Sequence, residues 1–228
     1  MPNWCDNVER IAGPKEEVKP LYDNLVKWIH DDVCPNGFKD GWLGNIVGHA
    51  GLEADPDPDN WRLRCRGELV DGFTYEEEDG EGIIGFSTYT AWVPFPGTWN
   101  ALLKKWAPAA KYYYIAFEPG ACIYESNDIN HRFFDDAFVI DCCLWEREKL
   151  PPEYQEDFRN IEDGMHWDWN PDEVIDMMER VTGMKTDHRN GEETDRLMEA
   201  FREKTEDMEG DNYINVYRID YYDPDADK

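Results

Sequence analysis

The chain has 228 residues, 41% of them hydrophobic, which is enough for a core and too much for wholesale disorder. Its 51 acids against 23 lysines and arginines give a net charge of −28, so it repels nucleic acid, anionic membrane and itself. No stretch nears the roughly 18 apolar residues of a membrane span, and Met1 to Gly13 lacks the basic start and apolar run of a secretory signal, so a cytoplasmic protein is expected.

In chain order, Val8 to Ala12 reads as a short strand stopped by Gly13 and Pro14. Trp4 and Cys5 just ahead of it are expected to pack under a sheet and anchor that strand. A helix follows, with Val18, Leu21, Tyr22, Leu25, Val26 and Ile29 at three-and-four spacing. Pro20 should start or kink it. Residues 31–60 are rich in Asp, Gly, Asn and Pro and read as a long connection, within an insertion that covers 31–82. Trp61 to Val70 alternates like a strand, Glu76 to Gly82 is a charged turn, and Ile83 to Trp92 is a clear strand. Pro94 and Pro96 open a helix with Trp99, Leu102, Leu103 and Trp106 on one face. Tyr112 to Phe117 and Ala121 to Glu125 form a hairpin around Glu118–Pro119–Gly120, and Ala137 to Leu144 is a further apolar strand.

Composition shifts near Pro151 and Pro152. Residues 151–228 hold 24 acids and 9 bases, against 27 and 14 in residues 1–150, so the later part is about twice as acidic per residue. Asn170 caps a helix, Pro171 takes its first position, and Asp172 and Glu173 suit its dipole. Val174, Met177, Met178 and Val181 give its apolar face, and Gly183 ends it. A second helix runs from Glu192 to Met208, and Tyr213 to Tyr221 reads as a strand. The fold class expected is α+β: a ferredoxin-like sandwich, an antiparallel sheet with two helices on one face, over residues 1–150. An acidic helical extension over 151–228 ends in a strand and packs on it.

The six cysteines, at 5, 34, 65, 122, 142 and 143, include no CxxC pair and read as reduced thiols rather than a zinc site. Asp55, Asp57 and Asp59 resemble the first half of a calcium loop, but Arg66 stands where the bidentate Glu belongs. His131 with Asp135 and Asp136 has the spacing of an acid–base or metal cluster; the plainer reading is a loop among Phe133, Phe134 and Phe138. His166 to Asn170 (HWDWN) is a recognition patch or, more plainly, a set of rings tying the acidic helices to the sandwich. Phosphate-loop, nucleophile-elbow and zinc-protease motifs are missing, and neither cofactor nor metal is expected. The rings are interleaved with acids rather than bases, which argues against direct nucleic-acid binding.

Three segments carry a resemblance. MPNWCDNVERIAGP, FSTYTAWVPFP (Phe86 to Pro96) and YYYIAFEPGACIYE (Tyr112 to Glu125) resemble segments of the phage- and plasmid-encoded YubB-like ferredoxin-like family. That family begins Met-Pro-Asn-Trp-Cys-x-Asn, and its hairpin reads Tyr-x-Glu-x-Gly. Here Phe117 takes the Tyr place and Pro119 is inserted. The resemblance covers roughly residues 1–30 and 83–126. It implies a ferredoxin-like fold and a mobile-element origin, and no activity or catalytic residues.

What remains is the acidity. Asp55, Asp57 and Asp59, then Glu76, Glu77, Glu78, Asp79 and Glu81, then Glu192, Glu193 and Asp195, then Glu203, Glu206, Asp207 and Glu209 form runs, with a further one at Asp223 to Asp227. Each alone is a solvated face. Together they approach the charge density of duplex DNA, about one charge per 1.7 Å of axis. The function expected is therefore an anti-defence protein of a phage or mobile element, a DNA mimic. It would be non-enzymatic and occupy the basic nucleic-acid-binding surface of a host protein such as a CRISPR complex, restriction enzyme or nuclease. The alternatives are a small hydrolase or modifying enzyme using His131, Asp135 or His166, and an accessory phage protein whose acidity serves solubility only. An exposed edge strand would allow a dimer.

Overall fold

The structure is a computed structural model and describes residues 3–31, 39–52, 64–150, 152–155, 158, 161–166, 169–187, 191–206, 208 and 212–224. Asp55, Asp57, Asp59, Asp207 and Glu209 lie outside the described residues, as do Cys34, Trp61, Trp167 and Asp168. In chain order the elements are β1 (Trp4–Pro14), α1 (Lys15–Trp28), α2 (Leu43–His49), β2 (Gly67–Glu78), β3 (Glu81–Ala91), α3 (Pro96–Trp106), β4 (Lys111–Glu118), β5 (Ile123–Ser126), β6 (Phe138–Cys143), α4 (Pro152–Gln155), β7 (Gly164–His166), α5 (Pro171–Thr182), α6 (Gly191–Thr205), β8 (Tyr213–Arg218) and β9 (Asp220–Tyr221). The fold is mixed α+β. It divides into two compact units, Met1–Phe134 with Tyr221–Lys228, and Asp135–Asp220.

The division falls at Phe134/Asp135 rather than near residue 150. Its cause is strand pairing: β6 joins β7 and β8 in a separate three-stranded sheet. The expected last strand, Tyr213 to Tyr221, is likewise split at Ile219, with β8 in the small sheet and β9 at the edge of the large one.

In the first unit, six strands run in the order β2-β3-β1-β4-β5-β9, and the pairs from β2 through β5 are antiparallel. The stretch expected as an insertion supplies α2 and the edge strand β2. Glu76, Glu77 and Glu78, expected in a turn, belong to that strand; only Asp79 and Gly80 turn, at φ 48° and 87°. Two successive positive-φ residues are what a tight hairpin needs to match strand twist, and Asp and Gly adopt them most readily. Carboxylates along an edge strand also discourage edge-to-edge pairing.

One buried cluster takes Val18, Leu21, Leu25 and Trp28 from α1, Leu43 and Ile46 from α2, Trp99, Leu102 and Leu103 from α3, and alternate residues of β1, β3 and β4. Of the stripe expected on α1, Val18, Leu21, Leu25 and Ile29 are buried and Tyr22 partly so, but Val26 is exposed and Trp28 takes a place on the buried face. Pro20 sits inside the helix without ending it, on an exposed face where solvent can bond the Glu16 carbonyl that loses its usual donor. Rings continue through this core from Phe73 to Phe86, Trp99, Tyr112, Tyr114 and Tyr222, with centroids 4.7–6.3 Å apart.

β1 begins four residues before the expected strand, and that reverses the reading of Trp4. Side chains alternate across a strand, and Cys5, Asn7, Glu9 and Ile11 all face inward, at 0–2% exposure. Trp4 therefore faces outward and is 40% exposed. Cys5 anchors the strand; Trp4 does not. Trp4→Ala is expected to lower the urea-unfolding free energy by less than about 1 kcal/mol, whereas a buried ring would cost about 3 kcal/mol or more.

In the second unit, Val174, Met177, Met178 and Val181 of α5 and Leu197 and Phe201 of α6 pack with Phe138, Ile140, Cys142 and Ile214 of the sheet. The Asn170 side chain accepts from Asp172 N–H at 2.9 Å, and Gly183 closes α5 at φ 74°, as the sequence indicates. Glu179 ties down the segment after that cap. It accepts from Lys185 Nζ at 2.6 Å and from the Thr186 N–H at 2.6 Å, which hold its carboxyl down at about 2.

Candidate functional site

The three segments that carry the resemblance meet at the start of β1. Trp4 pairs with Ala91, Trp92 N–H donates to the Asn3 carbonyl at 3.0 Å, and Asp6 pairs with Phe117. Gly120 lies against the Asn3 side chain, so a Cβ there would require the Asn3 amide to move. Trp92 itself holds φ 73°, unusual for a bulky residue.

Behind this end of the sheet runs a buried polar row. Asn7 Nδ2 donates to the Cys5 carbonyl at 3.0 Å, the Thr88 carbonyl at 3.1 Å, Thr88 Oγ1 at 3.2 Å and Thr90 Oγ1 at 2.9 Å. The Thr90 hydroxyl donates in turn to the Val93 carbonyl at 2.8 Å, which links the row to the Trp92 corner. The Cys5 thiol points at Asn7 Oδ1, 3.5 Å away. Burial, with Asp6, Glu125 and Glu118 nearby, raises its pKa so far that it stays protonated at neutral pH and is no nucleophile. Glu9 is 1% exposed and accepts from the Tyr112 hydroxyl at 2.7 Å; its second oxygen has no hydrogen bond among the described residues. Burial pushes the Glu9 carboxyl up to about 8, with Thr88, Tyr112 and Trp99 only partly offsetting it.

A cleft of about 400 Å³ opens beside this row. Val93, Pro94, Pro96 and Ile123 form its apolar walls, and Arg64, Tyr114, Glu125 and Tyr222 its polar ones. The Tyr114 hydroxyl donates to Glu125 at 2.7 Å and meets the Tyr222 hydroxyl at 2.5 Å. Burial, then Glu125, raises the Tyr114 pKa far above the ordinary phenol range, so the Tyr114 hydroxyl keeps its proton at neutral pH. On the opposite face of β1, burial raises the Asp6 carboxyl to about 6.

The expected acidic residues fall into two sets. In the first unit Glu76, Glu77, Glu78 and Asp79 are exposed at the β2–β3 tip. Glu77 pairs with Lys15 at 3.4 Å, and Glu81 pairs with Arg132. In the second unit Glu192, Glu193 and Asp195 lie in the first turns of α6, and Glu203 and Glu206 are exposed at its far end. Glu192 pairs with Arg196 at 3.8 Å, Asp195 pairs with Arg218 at 3.0 Å, and Glu193 accepts from the Asp187 N–H at 2.8 Å.

The other expected clusters are looser. His131 belongs to the first unit, where its ring lies 4.3 Å from that of Tyr221 and its Nδ1 is 3.2 Å from the Phe134 carbonyl; Asp135 and Asp136 belong to the second. His166 Nε2 meets the Glu162 carbonyl at 2.7 Å. Among the described residues no three His, Cys, Asp or Glu side chains gather as metal ligands, the cysteines are free thiols, and no helix is long and apolar enough to cross a membrane. Sequence reasoning missed Glu9, Asp6 and the Tyr114–Glu125–Tyr222 trio. Comparison with family models, curated proteins and solved structures finds no match to this chain.

Proposed function

We propose that the protein works by binding, as an acidic non-enzymatic inhibitor that occupies the basic nucleic-acid-binding surface of a host defence protein, and that it stems from a phage or other mobile element. The observation that carries the binding half is the outer row of α6. Asp195, Glu199 and Glu203 of α6 and Glu206 just past its end are all exposed, at spacings of four, four and three residues, which sets them along one face; Asp195 pairs with Arg218 and Glu199 with Arg202. The row spans about 16 Å at 1.5 Å per residue, in a chain of net charge −28. Such a row attracts a basic groove and is screened by salt. The exposed acids at the β2–β3 tip add a second row.

The origin half rests on the resemblance to the YubB-like family. In its favour, the three resembling segments come together around Asn3. A ferredoxin-like reading of the first unit is supported by the chain order β1-α1-β2-β3-α3-β4 and the strand order β2-β3-β1-β4, with α2 as an addition. The test is displacement. Host proteins retained by the chain at low salt are identified, and a labelled duplex is bound to each. Stoichiometric release of the duplex by this protein, lost at high salt, supports the reading. Retention of no nucleic-acid-binding protein, or a duplex that stays bound, overturns it.

A further inference from the structure

Across three strands the register sets Glu68 opposite Tyr89 and Tyr89 opposite Asp6. Neighbouring strands lie about 4.8 Å apart, so a carboxylate-bearing residue stands on each side of Tyr89. Trp4, Asp6 and Tyr89 share the face of the sheet turned away from Cys5, Asn7, Thr88 and Thr90. Trp4 is 40% and Tyr89 39% exposed. This is an aromatic surface with acids set into it, and its charges are poorly balanced. Glu68 is held by Lys39 at 2.5 Å. Asp6, half-buried, and Asp71, exposed, make no ion pair among the described residues. The raised Asp6 carboxyl is still ionised at neutral pH, poorly solvated and without an ion-pair partner among the described residues. Asp6, Asp71 and Glu68 also raise the Tyr89 phenol, which puts all three within electrostatic reach of that ring.

We propose that this face is a docking site for an arginine side chain of a basic protein partner, its guanidinium stacked on Tyr89 and hydrogen-bonded by Asp6. The proposal deepens the binding reading above and rests on it only for the basic character of the partner. Charge complementarity selects a cation, and the ring selects the kind. A guanidinium is planar, weakly hydrated, stacks on aromatic faces and offers several donors to a carboxylate beside the ring. An ammonium is a compact, strongly hydrated charge and gains less from a flat ring.

Oligoarginine and oligolysine peptides of equal length are the probes, titrated by fluorescence anisotropy against the full chain at about 0.15 M salt. The arginine peptide is expected to bind about tenfold more tightly than the lysine peptide. Asp6→Asn and Tyr89→Ala should each bring that ratio close to one, while Tyr89→Phe, which keeps the ring, should retain it. Neutralising Glu76 and Glu78 together should weaken both peptides alike and leave the ratio intact. Melting curves establish that each variant is folded. A wild-type ratio near one, or a ratio kept in folded Asp6→Asn, overturns the site. If the ratio tracks Asp6 and Tyr89 but no duplex is displaced from any host protein, the inhibitor reading fails and this surface stands.

Discussion

Glu9→Gln is expected to stabilise the protein at pH 8 by several kcal/mol and to flatten its stability between pH 6 and 8. The carboxyl titrates near 8 in the folded chain and near 4.5 when unfolded. Between those values the native state holds a proton that the unfolded state has released. Stability therefore falls as pH rises through this window, by roughly 1.4 kcal/mol per unit. Above about 8 both states are ionised and the fall ends. Over the full window the loss is on the order of 5 kcal/mol. Asp6, raised to about 6, contributes a slope of the same sign below pH 6, so the interval from 6 to 8 isolates Glu9. Glutamine keeps an acceptor for the Tyr112 hydroxyl and has no charge to bury. Urea unfolding at pH 6, 7 and 8 checks this. Equal slopes in the wild type and Glu9→Gln would mean that another group carries the dependence.

Glu9 also marks where the sequence stops being legible. The helices α1, α3 and α5 could be read because their apolar stripes and caps act locally: Leu21 and Leu25 recur at helical spacing, and Asn170 and Gly183 bond the backbone beside them. β1 gives no such signal. Its inward set is Cys5, Asn7, Glu9 and Ile11, and its outward set is Trp4, Asp6, Val8 and Arg10. Both sets mix polar and apolar residues, so alternation names no buried face, and the one large ring in the opening heptapeptide points the wrong way for a core anchor. The inward assignment comes from Thr88 and Thr90 on β3 and Tyr112 on β4, more than 80 residues away, which alone make the polar groups of β1 tolerable inside. The arginine-docking face has the same character. Glu68, Tyr89 and Asp6 are scattered in sequence and become one row only through the β2-β3-β1 register. The unit boundary at Phe134 was hidden for a related reason, since β6 reads as an apolar strand whichever sheet receives it.

Asn7 gives the second large effect, and it can be told apart from simple loss of packing. Its amide hydrogens are shared among two carbonyls and two threonine hydroxyls, and the residue is 2% exposed. Asn7→Ala deletes those donors and leaves a small cavity, a cost of about 3 kcal/mol from unsatisfied buried acceptors and lost contacts. Asn7→Asp keeps the shape and replaces the donor amide with an oxygen, which then faces four other oxygens. If shape were what matters, Asp would be the milder change. If hydrogen-bond polarity holds the row together, Asp is the worse one, because it must take up a proton or bury a repelled charge. Urea unfolding at neutral pH is expected to rank wild type above Asn7→Ala and Asn7→Ala above Asn7→Asp, with part of the Asp deficit recovered on acidification. The reverse order would assign Asn7 a packing role. The row also reaches the surface: Asn7 bonds Thr90, Thr90 bonds the Val93 carbonyl, and Trp92 between them is tied to Asn3. Loss of the amide should therefore loosen the corner that carries Trp4 and Trp92 before it disturbs α1 or α3. Amide hydrogen exchange can see this, as faster exchange at Trp92 N–H in Asn7→Ala while the core amides of α1 stay protected.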